Sequence, residues 1–150
     1  KQKTAYEIGV RLVGSEMCIR DSVDITGFGL LGHLYNMISQ SEKNCELNLN
    51  NIPIFDDLNS IIDTNNLTTG TIENIKYLDK KLNDLKTINP TMKSIICDSQ
   101  TSGGLLISIP SEFANEIIEK LYKSGHKKAS IVGSVVSKEK FKNKIVNFIK

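Results

Sequence analysis

No apolar run in this 150-residue chain approaches the roughly 20 residues that a membrane-spanning helix needs. The opening residues carry no charged-then-apolar signal segment. No C-x-x-C pair occurs, and the three cysteines, Cys18, Cys45 and Cys97, are odd in number and widely spaced. That pattern argues against a disulfide framework or a cysteine zinc site, and it suits a reducing, cytoplasmic setting. A formal net charge of +2 is too small to argue for nucleic acid or a membrane surface as a partner. Neither a G-x-x-x-x-G-K-S/T loop nor a three-glycine dinucleotide fingerprint is present. Internal repeats and low-complexity segments are also missing. What remains is ordinary: 39% hydrophobic and 24% charged residues, in a length that suits one domain with a real core.

Residues 1 to about 22, KQKTAYEIGVRLVGSEMCIRDS, read unlike the remainder, which is rich in Ile, Asn and Lys. Two readings stay open for them: an irregular lead-in or linker, or, from about Tyr6 to Ser22, foreign sequence such as translated adapter or cloning DNA. A contiguous genomic reading through the junction would sink the second.

From Ser22 the pattern is legible. Asp24-Ile25-Thr26-Gly27-Phe28 is an acid and a tight turn, followed by a helix from Gly29 to about Ser41. Leu30, Leu34, Met37 and Ile38 lie at i, i+4, i+7 and i+8 and predict its buried face. Alternation over Cys45 to Ile52, with Ile52 out of step, predicts a half-buried strand. Pro53 opens a short predicted helix over 54–64, and Asn65 to Gly70 is a polar break. A second helical pattern places Ile72, Ile75, Leu78, Leu82 and Leu85 on one side, until Asn89-Pro90 ends it. Ser94 to Cys97 is short and apolar, and Leu105 to Ile109 is a strand stopped by Pro110. Ser111 is a candidate cap for a helix with Phe113, Ile117, Ile118, Leu121 and Tyr122 on its stripe, closed by Ser124-Gly125. Strands are expected at Ser130 to Val136 and Lys144 to Lys150. The class is mixed α and β.

Two loops hold the residues that could carry chemistry, Asp24 to Gly29 and Asp98 to Gly104. Each has an acid, then threonine, then glycine. A helix N-terminus offers orphan N–H groups and partial positive charge to an anion such as phosphate. A carboxylate just upstream suits the Mg²⁺ that accompanies phosphate. Two ordinary turns remain the alternative, and the residues alone go no further.

The residues do, however, resemble a family. Asp24-Ile25-Thr26-Gly27-Phe28-Gly29-Leu30-Leu31-Gly32-His33 is similar to the DVTGFGLLGH signature of selenophosphate synthetase, also called selenide, water dikinase. Asp98-Ser99-Gln100-Thr101-Ser102-Gly103-Gly104-Leu105-Leu106 is similar to its DPQTSGGLL. Gly70-Thr71-Ile72-Glu73-Asn74 resembles a weaker family segment, and Ala129-Ser130-Ile131-Val132-Gly133-Ser134-Val135 resembles its closing strand. Order and spacing match over residues 23 to 150.

The resemblance implies an α+β fold: the layered C-terminal domain shared with aminoimidazole ribonucleotide synthetase, with a mainly antiparallel sheet and partial ferredoxin-like topology. It implies a reaction converting ATP, selenide and water to selenophosphate, orthophosphate and AMP, in a homodimer when full length. It implies Asp24 as a Mg²⁺ ligand and Thr26, Gly27 and Gly29 as the phosphate-facing turn. The family's ATP-binding half, with its nucleophilic cysteine or selenocysteine and its lysine, has no counterpart here. Cys18 does not match that nucleophile, so no catalytic residue is assigned and this chain is expected not to make selenophosphate alone. Another ATP-dependent enzyme of the same superfamily and a non-catalytic interaction module are the rival readings. Ser99 stands where the family has proline, which predicts a looser turn. His33 is expected in packing or a local hydrogen bond, His126 and the Lys138–Lys150 end in solvent, and Cys45 and Cys97 in the interior. Asp98 is left between assisting the site and capping its own turn.

Overall fold

A computed structural model describes residues 22–58, 62, 66–141 and 144–149. Nearly all of the lead-in, Cys18 included, lies outside the described residues. In chain order the elements are β1 (Ser22–Asp24), α1 (Gly29–Ser39), β2 (Lys43–Asn48), α2 (Thr69–Asp79), α3 (Pro90–Ile96), β3 (Leu105–Ile107), α4 (Ala114–Lys123), β4 (Gly133–Ser137) and β5 (Val146–Ile149). β1 and β3 form an antiparallel pair, with Asp24 opposite Leu105. The other strands form a sheet ordered β4-β2-β5, in which β2 is antiparallel to β4 and parallel to β5. The fold is α+β, with the parallel β2–β5 pair the departure from a purely antiparallel sheet.

The core is built around β2. Cys45 and Leu47 alternate inward and meet α1 through Leu31, Leu34 and Ile38. Leu78, Leu85 and Ile96 are 0% exposed and close the other side. Each such side chain contributes roughly 1.5–3 kcal/mol on burial. On α1 the expected Leu30, Leu34 and Ile38 are buried and Met37 is half-buried, but Leu31 is more enclosed than any of these. The buried arc is wider than one stripe because α1 packs against β2 on one side and α2 and α3 on the other.

Several boundaries move for physical reasons. β2 ends at Asn48, whose side chain accepts from Asn50 N and starts a 3₁₀ turn, which puts Ile52 out of step. Of the helix expected over 54–64, residues 54–57 are coil and turn, Ile62 N donates to Leu58 O, and the remainder lies outside the described residues. The long second helix is corrected: α2 stops at Asp79, and Leu82 and Leu85 are buried from the turn that follows. Its inward face is also corrected. Thr71, Asn74 and Leu78 are buried, whereas Ile72 is 39% exposed. Asn89 and Pro90, expected to end the second helix, instead begin the next: Asn89 caps α3, with Pro90 at its first turn and Ser94 to Ile96 inside it.

Ser111 makes no capping bond; it sits in a 3₁₀ turn leading to α4. The α4 stripe forms as read, yet none of its residues is buried, and Phe113 and Tyr122 are 48% and 45% exposed. Gly125, at φ 96, closes that helix as expected. His126 is exposed, as are Lys138, Lys140 and Lys144, but the expectation that the whole Lys138–Lys150 end lies in solvent is corrected: β5 buries Val146 in the core, and Ile145 and Phe148 pack against it.

Cys45 and Cys97 are buried and free, as expected. Burial pushes both thiols up to about 12, with Glu46 adding to the effect at Cys45 and Asp79 at Cys97. Only the thiolate is a good nucleophile. Neither is therefore expected to react with a disulfide reagent in the native chain at neutral pH, and both are expected to react once it is denatured. Rapid native-state labelling at either position, located by peptide mapping, is the contrary result.

Candidate functional site

The two signature loops interlock. They leave the β1–β3 pair side by side, and the ladder continues into them: Ile25 N donates to Gly104 O at 2.8 Å and Gly103 N to Ile25 O at 3.0 Å. Gln100 N donates to Thr26 O at 3.2 Å, and Gly29 N reaches the same carbonyl at 2.9 Å. Gly29 has φ 67, and a Cβ there would lie 2.7 Å from both Asp98 O and Cys97 C. A Cβ on Gly103 would collide with the Ile25 carbonyl oxygen. Both glycines are thus demanded by contact between the loops.

His33, on the first turns of α1, folds back over the first loop. Its Nε2 accepts from Thr26 N at 3.1 Å and lies 3.2 Å from Thr26 Oγ1. Accepting that N–H requires an unprotonated Nε2, so the ring proton sits on Nδ1. This is the local hydrogen bond expected of His33. Burial lowers its pKa below the ordinary 6.5, opposed in part by the negative charge of Asp24. The neutral ring is therefore favoured by folding. Its contribution to stability is present above pH 6.5 and is lost as pH falls from there through the lower folded value. An NMR titration is expected to place the His33 midpoint below 6.5, with the Thr26 amide shift following the same curve. A midpoint at or above 6.5 would count against the bond.

A third element completes the site. Thr68 caps α2 by accepting from Thr71 N at 3.2 Å. The Thr71 hydroxyl donates to Asp98 Oδ1 at 2.9 Å and accepts from Ser99 N at 3.2 Å. Asn74 Nδ2 donates to Gly27 O at 2.8 Å and to Cys97 O at 3.0 Å. Asp98 is accordingly tied to α2, and its side chain does not cap the Thr101–Gly104 turn. Serine at position 99 has the N–H that proline lacks, and Thr71 takes it. Thr71 and Asn74 were missed as site residues; their signal was the weak Gly70–Asn74 segment.

Asp24, Thr26 and Gly27 are exposed, whereas Gly29 is buried behind the turn. The N–H and carbonyl of Thr26 and the carbonyl of Gly27 are committed within the protein. The groups left for a ligand are the Asp24 carboxylate and the Gly27 N–H, which makes no hydrogen bond among the described residues, while the exposed Thr26 hydroxyl is shared with His33 Nε2. Beside the loop, a cleft of about 250 Å³ is lined by Phe28, Gly32, Asn36, Asn74, Tyr77 and Leu78. Among the described residues no three His, Cys, Asp or Glu side chains gather as a metal cage. Mg²⁺ is typically held by one or two carboxylates together with phosphates and water, so Asp24 fits as one ligand of a shared site.

Residues 17–145 match the family described as AIR synthase related protein, C-terminal domain. The chain is 36% identical over 120 residues to a selenide, water dikinase of Clostridioides difficile (strain 630), covering 80% of this chain and 34% of that protein. Over 139 residues it is 37% identical to a selenide, water dikinase of Caldanaerobacter subterraneus subsp. tengcongensis, covering 93% and 39%. A selenide, water dikinase of Aliarcobacter butzleri (strain RM4018) is 33% identical over 118 residues, covering 79% and 34%. The chain thus spans little more than a third of the length of these curated relatives. Both interlocking loops fall within the match, and the chain belongs to the AIR synthase related protein C-terminal domain family, where it is similar to the selenide, water dikinases.

Proposed function

We propose that this domain serves a selenide, water dikinase, a homodimeric cytoplasmic enzyme whose substrates are ATP and selenide, and that it supplies part of the phosphate and Mg²⁺ environment. The observation that carries this reading is the interlock of the two signature loops, which leaves the Asp24 carboxylate exposed at its rim. Asp24 would contribute one ligand to Mg²⁺, and the Gly27 N–H, with the Thr26 hydroxyl once released from His33 Nε2, would face the phosphates. Gly29 serves the same loop by allowing its turn, since its own N–H is taken by Thr26 O. When bound, Mg²⁺ would supply positive charge to offset the negative charge on the phosphate oxygens. The remaining ligands and the nucleophile come from the portion of the relatives that this chain does not match. Buried thiols at Cys45 and Cys97 support a reducing compartment.

The test compares this chain with a protein in which it follows the ATP-binding portion of a relative. The joined protein is expected to form AMP from ATP only when selenide is present, and the chain alone is expected to form none. AMP formation by the chain alone would refute its dependence on the preceding portion. ATP turnover by the joined protein without selenide would favour another superfamily enzyme. Absence of any turnover or nucleotide binding would favour a non-catalytic module.

A further inference from the structure

The α2 helix carries a pair of buried polar side chains where its sequence offers isoleucine. Thr71 is 0% exposed and Asn74 is 9% exposed, while Ile72 stays 39% exposed. Burying a polar group costs free energy unless it is hydrogen-bonded, so helices normally turn the apolar residue inward. Here both polar residues are bonded, and apart from the contact between the Thr71 and Thr68 hydroxyls their side-chain bonds end on a signature loop or on the residue just before one. Residues three apart share one helix face, so the pair acts from a single surface. Thr71 holds Asp98 and Ser99 of the second loop. Asn74 spans both loops, because the two donors of one carboxamide end on Gly27 O in the first and Cys97 O beside the second. The helix sits close: a Cβ on Gly70 would lie 2.8 Å from Ser99 Cβ and Oγ.

We infer that Asn74 is a positioning residue, which sets the spacing between the Asp24–Gly29 loop and the Cys97–Gly104 segment from the rigid frame of α2. It acts on the ligand loop through the Gly27 carbonyl, one peptide from the Thr26 hydroxyl. The link to catalysis rests on the proposal that this loop meets Mg²⁺ and phosphate; the clamp itself does not.

In the unsubstituted chain, NMR couplings across the hydrogen bonds are expected from the Asn74 side-chain nitrogen to the carbonyl carbons of both Gly27 and Cys97. Observation of only one, or neither, would overturn the clamp without any variant having to fold. In Asn74→Asp, whose carboxylate has the same shape but no donor, hydrogen exchange at the Gly29, Gln100 and Gly103 amides is expected to quicken at least tenfold relative to core amides of α1 and β2. Asn74→Ser, smaller and with one donor, is expected to fall between the two. An equal acceleration everywhere is what a merely structural residue would give, and it would defeat the inference. Mn²⁺ alone serves as the probe for the functional reading. It is expected to broaden the Thr26–Gly29 amides in the unsubstituted chain, less so in Asn74→Asp, and not in Asp24→Asn. Broadening that Asn74→Asp leaves unchanged also overturns the positioning role. No broadening in any chain would count against Asp24 as a ligand here, while the exchange result still decides the role of Asn74.

Discussion

Gly29→Ala is expected to lower the stability of the chain by about 3 kcal/mol, which is roughly 6–12 °C in Tm for a domain of this size. Two costs add. A side chain at φ 67 is strained by about 1–2 kcal/mol. The new Cβ would also stand 2.7 Å from backbone atoms of Cys97 and Asp98, an overpacking worth about 1–3 kcal/mol because neither loop can retreat without breaking the ladder that joins them. Gly104→Ala is the matched control in the same pair of loops. Nothing lies within 4 Å of its Cβ position, so its effect is expected to stay near 0.5 kcal/mol or less. Urea or thermal unfolding of the two variants decides the matter. Equal losses would show that the cost comes from glycine's backbone freedom in general and not from the interlock.

Asp24→Asn is expected to leave stability nearly unchanged, because the side chain is exposed at the end of β1. In the protein joined to its preceding portion, the same change is expected to cost roughly a hundredfold in kcat/KM, the equivalent of about 3 kcal/mol of charge stabilisation on phosphate. Asparagine keeps the shape and removes the charge, so a metal ligand is weakened without disturbing the turn. Added Mg²⁺ is expected to recover part of the loss. A rate unchanged by the substitution would remove Asp24 from the metal site, whatever the fate of the fold.

Much of this architecture is legible in the residues, and the exceptions share a cause. The α1 stripe, the alternation in β2 and the stop at Gly125 are local signals, and each appears in the structure, although β2 starts two residues before its expected place and ends four residues before it. Asp24, Thr26 and Gly27 could be singled out because an acid, a hydroxyl and a glycine at short spacing form a local pattern. Thr71 and Asn74 could not, because their partners lie across the fold and a polar residue on a helix normally reads as solvated. The inward turn of α2 follows from those distant partners, against the preference of Ile72. The Ser99 contact is hidden for the same reason: proline's missing N–H matters only when an acceptor stands opposite, and that acceptor comes from α2. On α4 the apolar stripe is correct as a pattern, yet amphipathicity alone does not supply a partner to cover it.

The pairing of β1 with β3 has a kinetic consequence. Ser22 meets Ile107 across most of the described chain, so closing this contact demands a long loop whose entropy is lost before the pair is gained. Contacts between residues so far apart in sequence slow folding. The two loops should therefore join late, after the helices between them have formed. A chain that has not completed its fold has no rim on which to hold a ligand. Any ligand that binds there draws the population towards the finished fold by mass action, and its affinity doubles as a measure of how completely the chain has folded.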